Sequence, residues 1–254
     1  MLVISDIKSF ALPLDAYKAI GDQNLAIDRA RNALVVECMA RFGFQVQAPE
    51  LTPIDFAQNQ KRYGITDPER AAQFGYREPE IDQRQRPEEP ELSLEAQAVI
   101  RGEGQKTSGG QQVPDGGCIG EAARELKEGG PSSADPEMVV SLEVEARKRA
   151  EKDSRVRKVF SDWSTCMKAS GYEYSGPMNA NDDPTFQTPV PSEREIGVAK
   201  ADVECKRRTN LVNVWASVEA AYQQRLIERN QGALDQVKRS LRLQLTKAAQ
   251  INQA

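Results

Sequence analysis

The chain has 254 residues, 34 basic and 38 acidic side chains, a formal charge of −4 and no histidine. That composition excludes Ser-His-Asp and Cys-His nucleophile systems, histidine-ligated zinc and imidazole acid–base chemistry, and it lacks the positive excess with which a protein coats nucleic acid. Leu, Ile, Val and Phe supply 53 of the 254 residues, just above the roughly 20% below which charged chains stay disordered, so a thin core under long solvated helices is expected.

At the N-terminus, Leu2-Val3-Ile4 is too short before Ser5 and Asp6 for a secretion signal, so an exported protein would here be in its mature form. No apolar run approaches the roughly 18 residues of a membrane span. Residues 1–21 read as an extended lead-in. Asp22 is expected to cap a helix over roughly 23–42, in which Ile27, Ala30, Leu34, Cys38 and Phe42 share one face. Residues 44–92 are rich in Pro, Gln and Glu and read as irregular, except that Asp67-Pro68-Glu69 has the form of a helix start. A short helix is expected over 93–101, a polar glycine-rich loop or small β-hairpin over 102–117, and a helix over 119–128 stopped by Gly129-Gly130. Asp135-Pro136-Glu137 opens a pattern that runs to Ser170, with Val156, Phe160, Trp163 and Met167 on its buried stripe. After a loop at 171–191, Ser192 and Glu195 form a capping box for a helix through Ala199, Val203 and Cys205. A last helical pattern, continuous with it or not, runs from about 211 into the 240s through Trp215, Val218, Tyr222, Leu226, Val237 and Leu241. Gly232, at a cost of ~1 kcal/mol relative to Ala, marks a break or kink there. Residues 250–254 read as frayed.

One internal similarity organises the cysteines. Cys38-Met39 followed by Gly43-Phe44 matches Cys166-Met167 followed by Gly171-Tyr172. A left-handed glycine after a helix lets the next residue fold back onto the third residue from its end, so both copies read as Schellman caps with a Met–aromatic contact. Each copy is followed by one later cysteine, Cys118 or Cys205. Four cysteines permit three connectivities. If the halves are duplicates, Cys38–Cys118 with Cys166–Cys205 treats them alike, and each link would stabilise by ~4 kcal/mol in the chain-entropy model. Four free thiols in a cytosolic protein are the plain alternative. The absence of any CxxC spacing argues against a metal site.

Five segments carry a family resemblance: Pro13-Leu14-Asp15-Ala16-Tyr17; Cys38-Met39 with Gly43-Phe44; Pro114-Asp115-Gly116-Gly117-Cys118 with Gly120-Glu121-Ala122; Trp163 with Cys166-Met167 and Gly171-Tyr172; and Ala201-Asp202 with Cys205. Together they resemble a group of predicted exported or lipid-anchored proteins of unassigned function in high-GC Gram-positive bacteria. The resemblance implies an extracytoplasmic, disulfide-bonded helical protein, secreted or anchored through a segment outside these residues. It brings no catalytic residues with it.

Several motifs suggest chemistry and are weighed against plainer readings. Asn179, Asn181 and Asp183 have the spacing of calcium ligands, but Pro184 and Val190 stand where an EF-hand needs glycine and glutamate, so an Asx-rich turn is favoured over a cation site. Ser5-Asp6-Ile7-Lys8 and Lys106-Thr107-Ser108-Gly109 match fragments of penicillin-recognising enzymes without the intermediate element. Gly102-Glu103-Gly104 completes no phosphate loop. Arg147, Lys148, Arg149, Lys152, Arg155, Arg157 and Lys158 would suit an anionic polymer or headgroup, yet acid-first pairs at Glu143–Arg147, Glu145–Arg149 and Glu151–Arg155 make a solvated helix face the better account. Trp163, Trp215, Tyr172, Tyr174 and Tyr222 could stack on sugars, but both tryptophans lie on apolar stripes, which leaves Tyr174 as the exposed ring. Glu103 and Glu121 are the first choices for a carboxylate-dependent wall glycosidase.

The sequence is therefore read as mainly α: two pseudo-repeated, disulfide-linked helical units, 1–130 and 131–254, with long irregular loops. The function favoured is non-catalytic binding or scaffolding at the bacterial cell envelope, with an envelope protein or cell-wall polymer as partner. No cofactor, metal, nucleic acid or transmembrane segment is called for. Binding candidates are Arg147, Lys148, Lys152, Arg155 and Tyr174. A wall glycosidase and a cytosolic helical adaptor are the alternatives. The last helix could pair with a partner, although its stripe leaves strict heptads near Arg225 and Arg229.

Overall fold

A computed structural model of the chain describes residue 4 and residues 10–51, 58–77, 92–103, 107–108, 110–186 and 190–253. Among them a 3-10 turn, Pro13–Tyr17, precedes α1 (Asp22–Arg41), α2 (Pro68–Phe74) and α3 (Leu94–Arg101). A two-stranded antiparallel ribbon follows, β1 (Thr107–Ser108) against β2 (Gln111–Gln112), so the 102–117 segment does contain a hairpin. Then come α4 (Gly117–Lys127), α5 (Glu137–Lys152), α6 (Ser154–Ala169), α7 (Pro177–Asn181), a second 3-10 turn (Pro184–Phe186), α8 (Glu193–Thr209), α9 (Leu211–Arg229) and α10 (Gln231–Ile251). The fold is mainly α.

Local chemistry accounts for the helix ends. Both repeated motifs are Schellman caps: the Phe44 N–H donates to Met39 O and the Gly43 N–H to Ala40 O, while Tyr172 donates to Met167 O and Gly171 to Lys168 O. Gly43 and Gly171 take φ of +82° and +88°. Pro68 sits in the first turn of α2, where Asp67 accepts from the Glu69 and Arg70 amides. Three boundaries differ from the sequence expectation. The 135–170 pattern is interrupted at Asp153, whose carboxylate accepts from the Arg155 amide and starts α6. The 171–191 loop contains α7, opened by Pro177, and the second 3-10 turn. Asp22 is already helical, Gly21 being the residue before α1. The break foreseen near Gly232 falls at Asn230, and Asn210, left-handed at φ +56°, separates α8 from α9. At the C-terminal end, where fraying was expected, α10 continues to Ile251 and the Asn252 side chain donates to Ala26 O at 2.9 Å.

The chain forms two compact units, each assembled from three stretches: Met1–Ala16, Phe56–Arg84 and Glu137–Asn230 in the first; Tyr17–Asp55, Gln85–Pro136 and Gln231–Ala254 in the second. The boundary is therefore not the chain-order division at residue 130, because α10 carries Leu241, Leu245, Ala248 and Ile251 into the core of the second unit.

In the first unit α9 packs on α5 and α6, and α8 on α2 and α6. Its core is built on Tyr63, Val156, Trp163, Met167, Leu211 and Trp215, and Cys166–Cys205 links α6 to α8. In the second unit α1 packs on α4 and α10, and α3 on α4. Ile27, Ala30 and Leu34 meet Ala122, Leu126 and Ala248, while Cys38 and Met39 meet Ala96, Val99, Val113 and Cys118. Cys38–Cys118 links α1 to α4. The α3–α4 contact needs two glycines. A methyl group on Gly117, at φ +62°, would stand 2.3 Å from the Gly102 amide nitrogen.

Candidate functional site

The chemistry of the first unit is concentrated on α8. Its buried face carries Glu195, Asp202 and Lys206 among Val198, Ala199, Val203 and Cys205. A charge inside a core must be paired and hydrogen-bonded to persist, and each of these is. Asp202 accepts from Trp163 Nε1 at 2.9 Å, Tyr76 OH at 3.1 Å and Lys206 Nζ at 2.9 Å. Lys206 also donates to Ile65 O at 3.0 Å. Burial pushes the Asp202 carboxyl up and the Lys206 ammonium down, each opposed by the attraction of the other. Glu195 accepts from the Tyr76 amide at 3.2 Å and from Arg77 Nε at 3.3 Å. Arg77 also donates to Phe186 O. Burial, reinforced by the charge of Asp202, raises Tyr76 far above an ordinary phenol.

A second buried carboxylate, Glu219 of α9, accepts from Arg62 Nε at 2.8 Å and Tyr63 OH at 3.0 Å. These two constellations, together with Tyr63 and Ala71 buried in the core, pin residues 62–77 onto the helices. Beside it opens a pocket of about 740 Å3, lined by Lys206, Arg207 and Val203 of α8, by Gln60, Gly64, Ile65 and Tyr76, and by Asn210 and Asn213 at the α8–α9 junction. Asn213 Nδ2 donates to Asn210 Oδ1 at 2.7 Å, and Asn213 Oδ1 accepts from the Ile4 amide at 2.8 Å.

The residues singled out from sequence do not converge there. Arg147 is half-buried, donating to Arg62 O at 2.8 Å and lying 4.8 Å over the Trp215 ring. Its acidic partner is Glu151 at 3.1 Å instead of Glu143. Glu145–Arg149 forms as expected, whereas Arg155 pairs with its own helix cap, Asp153, at 2.9 Å. Lys148 and Lys152 are exposed and line an open depression of about 310 Å3 with Ser141 and Val144. Tyr174 is not the exposed ring expected. It is half-buried and donates to Asp183 Oδ2 at 2.6 Å; burial, followed by that bond, pushes its hydroxyl up to about 12. Trp163 and Trp215 are wholly buried.

The Asx cluster is occupied by its own neighbours: Asp183 also accepts from the Thr185 amide and hydroxyl, and Asn179 Oδ1 accepts from Ser175 Oγ. No metal-ligating cluster is present among the described residues. Glu121 pairs with Arg41, and Glu103 is exposed, so neither lies in the apolar enclosure that makes a carboxyl a proton donor. Ser5, Lys8, Gly104 and Lys106 lie outside the described residues.

In the sequence Glu195 reads only as part of a cap and Asp202 only as part of the resemblance, and Lys206 is not singled out, although one signal of their buried ionic role is present. Charged residues at 195, 202 and 206 fall on the same three-to-four spacing as Val198 and Cys205. A charge on a buried stripe calls for a partner elsewhere in the chain. Among the described residues no helix is long and apolar enough to cross a membrane. Comparison of the chain with protein-family models, curated proteins and solved structures gives no match.

Proposed function

We propose that the chain is a non-catalytic binding or scaffold protein of the bacterial cell envelope, working outside the cytoplasm. The observation that carries this reading is the pair of disulfides, one inside each unit, with no free cysteine among the described residues. Structural disulfides persist where thiols are not kept reduced, and a thin-cored helical protein gains most from them. The resemblance of the cysteine-bearing segments to exported Gram-positive proteins supports the envelope as the location. The buried carboxylates support the non-catalytic part of the reading, since Asp202, Glu195 and Glu219 are held by internal donors and tie the scaffold together.

The test is alkylation of natively purified protein, with and without prior reduction, followed by intact mass measurement. No adduct before reduction and four after it is the expected result. Four adducts without reduction would remove the extracytoplasmic reading. Incubation with purified peptidoglycan should release no soluble fragment; release that is lost on changing one Glu or Asp would overturn the non-catalytic part.

A further inference from the structure

We propose that the pocket of the first unit takes a small hydroxylated anion, such as a polyol phosphate or hydroxyacid, seated on the Lys206 ammonium. The inference deepens the binding role proposed above and rests on it.

Three observations carry it. An ammonium has three donors, and Lys206 uses two, on Asp202 and Ile65. The side chain is only 2% exposed yet belongs to the pocket lining. Gly64, in the same lining, lies hard against the nitrogen: a methyl group there would stand 2.9 Å from Nζ and 3.6 Å from Asn181 Oδ1. An anion placed there meets a cation already stripped of water, the setting in which charge-assisted bonds are strongest.

A second cation stands in the same lining: Arg207 lies at the exposed rim, held by Glu204 at 2.9 Å.

The third observation is an orphan acceptor. Gln60, in the same lining, buries its Oε1 with no donor to satisfy it. A buried acceptor left unpaired is costly, so a ligand that brings a hydroxyl as well as a charge satisfies both ends of the site. The volume of about 740 Å3 falls in the range of small-molecule sites, roughly 300–1,000 Å3.

Calorimetry on the full chain, disulfides intact, tests this with sn-glycerol 3-phosphate, inorganic phosphate and glycerol. Glycerol 3-phosphate should bind about tenfold tighter than inorganic phosphate, the worth of the added hydroxyl bonds, and glycerol should give no heat. Lys206→Met should abolish binding. Because that change leaves Asp202 buried without its cation, two milder variants accompany it. Arg207→Gln, at the exposed rim, should weaken both anions several-fold, and Gln60→Leu should erase the preference for glycerol 3-phosphate over phosphate. Phosphatidylglycerol vesicles present the same group on a bilayer. Binding of the free anion alone assigns a soluble ligand, and vesicle binding competed away by glycerol 3-phosphate assigns a headgroup. No heat with any anion, or binding indifferent to both Arg207→Gln and Gln60→Leu, overturns the proposal. Such a failure with the disulfides intact leaves the envelope reading standing, whereas reduced cysteines would remove that reading without touching the pocket.

Discussion

At the scale of single residues, the buried ions decide the most. Lys206 and Asp202 meet at 2.9 Å with side chains 2% and 0% exposed, so neither charge has water to fall back on. Removing one partner of such a pair costs about 3–5 kcal/mol, whereas replacing both by neutral groups can be nearly neutral. We therefore expect Lys206→Met to lose that much in urea denaturation at neutral pH, and Lys206→Met combined with Asp202→Asn to recover most of it. Asp153 works differently, as a helix cap whose side chain is 11% exposed. The Arg155 guanidinium, with the Arg155 amide and the Tyr222 hydroxyl, holds its carboxyl well below the usual range against the opposing effect of burial. A carboxyl whose folded value is depressed contributes stability above its unfolded value and loses it as pH falls toward the folded one. Asp153→Ala should thus cost about 1 kcal/mol at neutral pH, and the gap to the parent protein should close progressively below about pH 4. Thermal melts of both proteins across that range would measure it.

At the scale of elements, what could be read from the sequence and what could not divide along local and distant causes. The two Schellman caps and the Pro68 helix start depend on residues within one turn, and the sequence pattern contains them whole. The interruption at Asp153 does not announce itself, because Ala150, Val156 and Val159 continue the apolar spacing across it and only the carboxylate's choice of amide makes the break. Ser192 and Glu195 show both cases at once. The Glu195 amide donates to Ser192 Oγ at 3.1 Å as a capping box requires, but the Glu195 carboxylate is held by Tyr76 and Arg77, more than a hundred positions away. The pocket was illegible for the same reason: half its lining comes from residues 60–77, a stretch that reads as irregular. The disulfides also belong to this scale. They close separations of 80 and 39 residues. Since loop entropy grows only with the logarithm of length, replacing either pair by alanine should cost a similar ~4 kcal/mol. Denaturation of Cys38→Ala/Cys118→Ala beside Cys166→Ala/Cys205→Ala would check both the size and the near equality.

At the scale of the whole molecule, the units are interleaved along the chain. A cut between residues 130 and 131 leaves the second unit without α10 and the first without Arg62, Tyr63, Tyr76 and Arg77, the donors to Glu219 and Glu195. Fragments 1–130 and 131–254 should each lack near-UV circular dichroism when alone and regain it on mixing; a fragment that folds by itself would contradict this assignment of the cores. The cysteines, by contrast, are not interleaved. Their partners are neighbours in the order 38, 118, 166, 205. A polypeptide delivered N-terminus first into an oxidising space presents them in that order, and joining each newly arrived thiol to the one still waiting yields the native set. Such a chain needs an oxidant but no shuffling isomerase during delivery. Scrambled links would arise only when all four thiols are offered together, as in dilution of the fully reduced chain from denaturant.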